Sequence, residues 1–181
     1  TNSDHTVPPN VEAESFLTTE TVDDPDGVQT SDTTWVYYAV GDDGNIQIRR
    51  WNSDTLGELE EQAPNLGDLD QENFQNAPVI IREIFGELYI AHDIHIHKVT
   101  KGGTHTEEFF TIPTNYSIVD LVQVKDQAVI LTRPGYEAVN QSLGFWWDLS
   151  SGAGIGSITG TFQLPETNPQ WVANTTNILI G

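Results

Sequence analysis

Histidines are concentrated in one short stretch of the chain. Residues 91–110, AHDIHIHKVTKGGTHTEEFF, contain four of the five histidines in the sequence. Imidazole and carboxylate groups are ligands of zinc and of non-haem iron, and histidines two residues apart on a strand point to the same side of a sheet. Gly102-Gly103 is a strong signal for a two-residue hairpin turn, which would place Thr100 opposite His105.

That register defines a candidate metal site. Glu108 would lie opposite His97, and strand alternation would bring the neighbouring polar residues to the same face. The face would then carry Asp93, His95, His97 and Glu108. The alternative is an ordinary polar strand face on which His97 and Glu108 pair, and a slip of one residue would disperse the set. The sequence favours this alternative, so we expect no obligatory metal.

Two acidic clusters raise the question of calcium. They are DDPDG (23–27) and GDDGN (41–45), and neither has the Asp-x-Asp-x-Asp-Gly spacing of a calcium-wrapping loop. The second cluster separates two strand-like runs and is more simply a hairpin turn. We therefore predict no cofactor, with zinc and calcium as the alternatives.

Two adjacent pairs of large side chains are candidates for ligand binding. On a strand, one of Trp146 and Trp147 points into the core and the other outward, where an indole could stack on a sugar or another flat ligand. Arg49 and Arg50 alternate in the same way, and one of them could meet an anionic ligand. Core packing for the tryptophans and a surface ion pair for the arginines are the alternatives that the sequence favours.

No catalytic set is evident. GAGIG (152–156) matches part of a dinucleotide-binding fingerprint, but no helical pattern follows it. The sequence therefore leans away from an enzyme. The competing interpretation is a metal-dependent enzyme centred on His95, His97 and Glu108.

The elements that must position these residues are strands. Short runs rich in Val, Ile, Tyr, Trp and Thr alternate with Gly, Asp, Asn and Pro, which is typical of an all-β chain. PVIIREIFGELYIAHDIHIHKVTKGGTHTEEFFTIP reads as four strands joined by tight turns, and the unit beginning SIVDLVQVKDQAVILT repeats that pattern. Residues 34–64 supply the later strands of an earlier unit, whose first strand we place at 15–22.

A four-strand unit repeated along the chain resembles the blades of a β-propeller. The resemblance covers residues 15–181 and implies three to four antiparallel blades, part of a larger or multi-chain ring. The segment FLTTETVDDPDGVQTSDTTWVYYAVGDDGNIQIRRW is also similar to bacterial cell-surface propeller lipoproteins. An antiparallel β-sandwich is the alternative fold. Residues 1–14, polar and with Pro8-Pro9, are predicted to form a flexible tether.

Composition narrows the functional classes. The net charge of −20, with 27 acidic and seven basic residues, disfavours nucleic acid and anionic membranes as partners. No apolar run is long enough to span a membrane. We expect an extracytoplasmic, non-enzymatic binding module that recognises a small ligand or another protein chain. The alternative is a structural subunit that associates through the strand edge of its C-terminal segment, TNILIG (176–181).

Overall fold

The described part of the chain is entirely β-structure. The computed structural model describes residues 13–24, 27–42, 45–52, 59–62, 68–69, 79–134, 141–149 and 156–164. These residues form three antiparallel sheets, which confirms the all-β prediction. The tether predicted at 1–14, apart from its last two residues, and the C-terminal segment TNILIG (176–181) lie outside the described residues.

Within the described residues, thirteen strands make up the three sheets. The first sheet contains β1 (Glu14–Asp24), β2 (Gly27–Asp42), β3 (Asn45–Asn52), β4 (Leu59–Gln62) and β5 (Asp68–Leu69). The second contains β6 (Val79–Ile84), β7 (Glu87–His92), β8 (His95–Val99) and β9 (His105–Thr111). The third contains β10 (Tyr116–Val124), β11 (Gln127–Pro134), β12 (Leu143–Asp148) and β13 (Ser157–Gln163).

Each sheet is a meander in which consecutive strands are neighbours. The orders are β1-β2-β3-β4, β6-β7-β8-β9 and β10-β11-β12-β13, and β5 pairs with β3. Tight turns produce this order. Ile84 pairs with Glu87 and Val124 with Gln127, so the sequences IFGE and VKDQ each form a two-residue hairpin. Asp42 likewise pairs with Asn45, as the hairpin interpretation of residues 41–45 requires.

The second sheet lies between the other two and is buried on both faces. In β7, Leu88 and Ile90 pack with side chains of the first sheet, including Tyr37 and Ile48. Tyr89 and Ala91, which point the opposite way, pack with side chains of the third sheet. Because both faces are covered, β7 is an almost continuous run of buried residues rather than an alternating one.

An ion pair connects the second sheet to the third. Arg82 on β6 places its Nε 3.1 Å from Asp120 Oδ1, and its Nη2 donates to Asp120 Oδ2 at 3.3 Å. The Leu121 N–H also donates to Asp120 Oδ1, at 2.7 Å. Burial raises the pKa of the Asp120 carboxyl, whereas Arg82 and the Leu121 N–H oppose that rise. The pair therefore holds β6 against β10 at the position where a bulge interrupts β10.

Backbone hydrogen bonds also join neighbouring sheets. The Thr19 N–H of β1 donates to the Lys101 carbonyl at 2.7 Å, and the Ile118 N–H of β10 donates to the Asp93 carbonyl at 2.7 Å. Turns of the second sheet therefore contact both of its neighbours. Within the described residues, no helix is long and apolar enough to cross a membrane.

Candidate functional site

The four histidines of the second sheet share one of its faces. His92 pairs with His95, and Val99 pairs with His105, while His95, His97 and Val99 alternate along β8. Directly paired residues project to the same side of a sheet, so this face is the one turned toward the first sheet. His105 Nε2 lies 3.1 Å from the Tyr37 hydroxyl of β2, which places the cluster at the interface between the first two sheets.

The register around Gly102-Gly103 differs from the predicted one. Val99, rather than Thr100, pairs with His105. The loop has three residues, because the Thr100 N–H donates to the Thr104 carbonyl and Gly103 adopts a positive φ of 80°. A three-residue loop that ends in a left-handed glycine is the next common hairpin type after the two-residue turn, and it shifts the pairs nearest the loop, Val99–His105 and Lys98–Thr106, by one from the predicted register.

A bulge then changes the surroundings of His97. The register shifts between Ile96 and Lys98, and Glu108 adopts a positive φ of 45°. The Glu108 backbone N–H, not its carboxylate, meets His97, donating to Nδ1 at 3.0 Å. Since Nδ1 accepts this bond, the ring proton of neutral His97 lies on Nε2. This hydrogen bond therefore occupies one of the two ring nitrogens with which His97 could bind a metal.

The remaining members of the candidate metal set are spread along the hairpin. His95 Nδ1 lies 3.7 Å from Glu108 Oε1 and 3.3 Å from the Thr111 hydroxyl. Asp93 occupies the β7–β8 turn with a φ of 51°, instead of a strand position beside His95. The described residues include no group of three or more His, Asp or Glu placed to hold a metal ion.

The interior position of His97 determines its charge. Its side chain is buried, and burial, together with the nearby His95 and His92, lowers its pKa to about 4. His97 is therefore neutral at physiological pH. The polar strand face expected from the sequence is in fact an internal face at which His97 contributes to packing between sheets.

The two predicted arginines point to opposite faces of β3. The Arg50 guanidinium carbon lies 3.9 Å from the centre of the Trp35 ring. Arg49 donates from Nη2 to the Gln47 side-chain oxygen at 3.1 Å. Both are partly buried within the first sheet.

The two tryptophans also project in opposite directions. Trp147 is buried, with its ring centroid 5.2 Å from that of Tyr89 and 5.3 Å from that of Phe110. Trp146 is half-buried and packs on Phe162 of β13, at 5.5 Å between centroids. Trp147 requires Gly156, which has a φ of 79°, because a Cβ at that position would collide with the indole Nε1.

A cleft opens beside Trp147, between the second and third sheets. It has a volume of about 740 Å³, which lies within the range of small-molecule sites. We call it the aromatic cleft. Its lining comprises Phe85, Glu87, Tyr89, Lys98, Phe109, Asp126, Gln127, Trp146, Trp147, Asp148, Leu149 and Thr159. The site thus combines five aromatic side chains with charged groups contributed by both sheets.

Lys98 lies inside an aromatic and acidic environment in this cleft. Its Nζ is 4.7 Å from the Phe109 ring centroid and 5.8 Å from that of Tyr89, and it forms an ion pair with Glu87. The Tyr89 hydroxyl donates to the same Glu87 carboxylate at 3.4 Å. Burial, reinforced by Glu87, raises the pKa of Tyr89, so the phenol keeps its proton and remains a donor.

Phe85 forms the exposed edge of the cleft. Its residue surface is 44% exposed, and it occupies the β6–β7 turn with a φ of 52°, followed by Gly86 at 75°. Its N–H donates to the Gln123 side-chain oxygen at 3.1 Å, which brings the β6–β7 turn toward the β10–β11 turn that carries Asp126. Two hairpin tips from different sheets therefore form one side of the opening.

The tryptophans of this cleft were predicted from the sequence as candidate ligand-binding residues, whereas its other residues were not. Phe85, Lys98 and Asp126 belong to three separate hairpins, and no spacing rule connects them. One signal was available: IFGE places a bulky aromatic residue at a turn position that requires a positive φ, where Asn, Asp or Gly is usual.

The chain matches no protein-family model, no curated protein and no solved structure.

Proposed function

We propose that the protein is a non-enzymatic binding module whose ligand enters the aromatic cleft. The observation that carries this proposal is the cleft itself, a concave site of about 740 Å³ with aromatic walls and a few charged groups. Such a combination is typical of small-molecule recognition, in which apolar area supplies affinity and the polar groups fix orientation. The half-buried Trp146 and the exposed Phe85 place two of the lining rings within reach of a ligand.

The scaffold that we propose is an arc of β-propeller blades. Three successive four-strand meanders pack in series, and the first strands of neighbouring sheets adjoin, since β6 contacts both β1 and β10. Three sheets in series favour blades over a sandwich, which has two facing sheets. A crystal structure in which β1, β6 and β10 do not converge on a common axis would contradict this proposal.

Nuclear magnetic resonance tests the binding site. A panel of neutral sugars, organic cations and short peptides is added to ¹⁵N-labelled protein, and the amide shifts are followed. We expect at least one class to move the amides of Phe85, Asp126 and Thr159, which surround the cleft. A ligand that shifts a different surface, or a cleft that responds to no class in the panel, would contradict the proposal.

A further inference from the structure

The backbone conformation of Phe85 is energetically unfavourable. A bulky residue at a φ of 52° is a genuine outlier, and such outliers cluster at functional sites. The φ values of the β6–β7 turn do not require a phenyl ring, because Asn-Gly is the sequence that suits two successive positive φ values. The hydrogen bond to Gln123 uses the backbone N–H and is independent of the side chain. The phenyl ring therefore has a role outside the turn, and the ring lines the aromatic cleft.

The charges around the cleft favour a cation. Glu87, Asp126 and Asp148 provide three carboxylates against the single ammonium of Lys98, so the lining has a formal charge of −2. The chain as a whole carries −20, which attracts cations toward the opening and repels phosphates and carboxylates. An anionic ligand would be repelled both by the charge of the cleft lining and by the net charge of the chain.

Lys98 shows how the site accommodates a cation. Its ammonium group lies over the Phe109 ring and pairs with a carboxylate, an arrangement that combines cation–π attraction with an ion pair. The same two components recur at the opening, where the exposed Phe85 ring and the exposed Asp126 carboxylate extend from adjacent hairpins.

A neutral sugar fits the exposed surfaces less well. A sugar ring needs a broad aromatic face, but Trp147 is enclosed by other rings, and Trp146 is half-buried and packs against Phe162 with the two rings tilted by 45°. Among the lining side chains that the structure describes, Phe85 is the large apolar group with substantial exposure. One phenyl ring beside a carboxylate suits a compact ammonium group better than a sugar.

We propose that the aromatic cleft binds an organic cation, a substituted ammonium group held by the Phe85 ring and the Asp126 carboxylate. This inference rests on the proposed binding function and specifies the chemical class of its ligand.

The test compares choline with its neutral carbon isostere, 3,3-dimethylbutan-1-ol, and with methyl glucoside, by titration calorimetry and by amide shifts. We expect choline to bind at least about ten-fold more tightly than the isostere, since the charge provides the discrimination. Raising NaCl from about 50 to 500 mM should weaken choline binding, because the cleft opening is exposed to solvent.

Three variants locate the site. Phe85→Leu, which keeps apolar bulk without a ring, and Asp126→Asn should each weaken choline binding by about three- to thirty-fold. Leu17→Ala is the matched control, because Leu17 is 46% exposed, similar to Phe85, but lies on β1 and outside the cleft. This variant should bind choline as tightly as the wild type. Amide spectra establish that each variant is folded.

The outcomes separate the two proposals. Isostere or methyl glucoside binding as tight as choline, and sensitive to Phe85→Leu, would overturn the cation inference and leave the binding module standing. Choline binding that neither Phe85→Leu nor Asp126→Asn weakens would overturn the cation site at the cleft. If none of the three probes binds, the cation inference fails. The amide-shift experiment with sugars, organic cations and short peptides then tests the binding module.

Discussion

The two faces of the second sheet make different kinds of interface. Toward the first sheet it presents His92, His97 and His105, all buried, and His105 forms a hydrogen bond with Tyr37. Toward the third sheet it presents aromatic side chains around Trp147, and the packing leaves the aromatic cleft open. The first interface contains buried histidines, whereas the second includes a cleft with room for a ligand. Stability against acid and ligand recognition should therefore map to opposite faces of the same four strands.

The largest expected effect on stability concerns the interface between the second and third sheets. Asp120→Ala removes the carboxylate that compensates the buried Arg82 guanidinium and should lower the free energy of unfolding by about 4 kcal/mol. Urea unfolding measures it. Asp126→Asn, in an exposed turn, is the control and should change stability by about 0.5 kcal/mol or less. A loss for Asp120→Ala no larger than that of the control would show that the ion pair does not hold the second and third sheets together.

The stability that the interface between the first and second sheets provides should decrease at acidic pH. The folded-state pKa of His97 is about 4, below its ordinary value of 6.5, so the unfolded chain takes up the proton first as the pH falls. The stability that neutral His97 provides is complete above pH 6.5 and declines between pH 6.5 and pH 4, by at most about 3 kcal/mol.

His97→Asn isolates that contribution, because its Oδ1, bonded to Cγ as Nδ1 is, can still accept the Glu108 N–H while it cannot titrate. Urea unfolding of both proteins at pH 7.5, 6, 5 and 4.5 gives the difference in stability. We expect the wild type to lose stability relative to the variant as the pH falls. Parallel curves would contradict a depressed His97 pKa and remove the proposed difference between the two faces.

The smallest expected effect is an increase in the free energy of unfolding. Phe85→Asn places the residue most favourable for a positive φ in front of Gly86 and should raise the free energy of unfolding by about 1 kcal/mol. Thermal unfolding measures the gain, and Leu17→Ala provides the comparison for loss of an exposed apolar group. A destabilised Phe85→Asn protein would mean that the ring supports the fold, and the argument for its role in binding would be lost.

Local chemistry made much of the architecture predictable. Runs such as ELYIAH and QAVILT are strands because their β-branched and apolar residues are buried on both sides, and IFGE and VKDQ form turns at the predicted positions. The register of the β8–β9 hairpin was not predictable in this way. Gly102-Gly103 is compatible with two loop lengths, and the structure uses the longer one. A bulge then turns the backbone N–H of Glu108, rather than its carboxylate, toward His97.

The candidate site depends on contacts between distant parts of the chain. Whether Trp147 is enclosed is decided by Tyr89 and Phe110 from the second sheet, and the pairing of Lys98 with Glu87 is decided by the β7–β8 register. Alternation along one strand predicts that adjacent tryptophans diverge, but it does not predict which one a neighbouring sheet will cover. Packing between sheets supplies that information.

The bulge in β9 has a consequence for self-association. Among the described strands, β9 is the outer strand of the second sheet, and an outer strand with free backbone groups is a template for pairing with another molecule. Here the left-handed Glu108 interrupts the regular spacing of those groups, and Thr106, Glu107 and Glu108 are exposed along the same segment. An incoming strand would meet a discontinuous ladder and two carboxylates, so this margin of the molecule resists fibril-like growth.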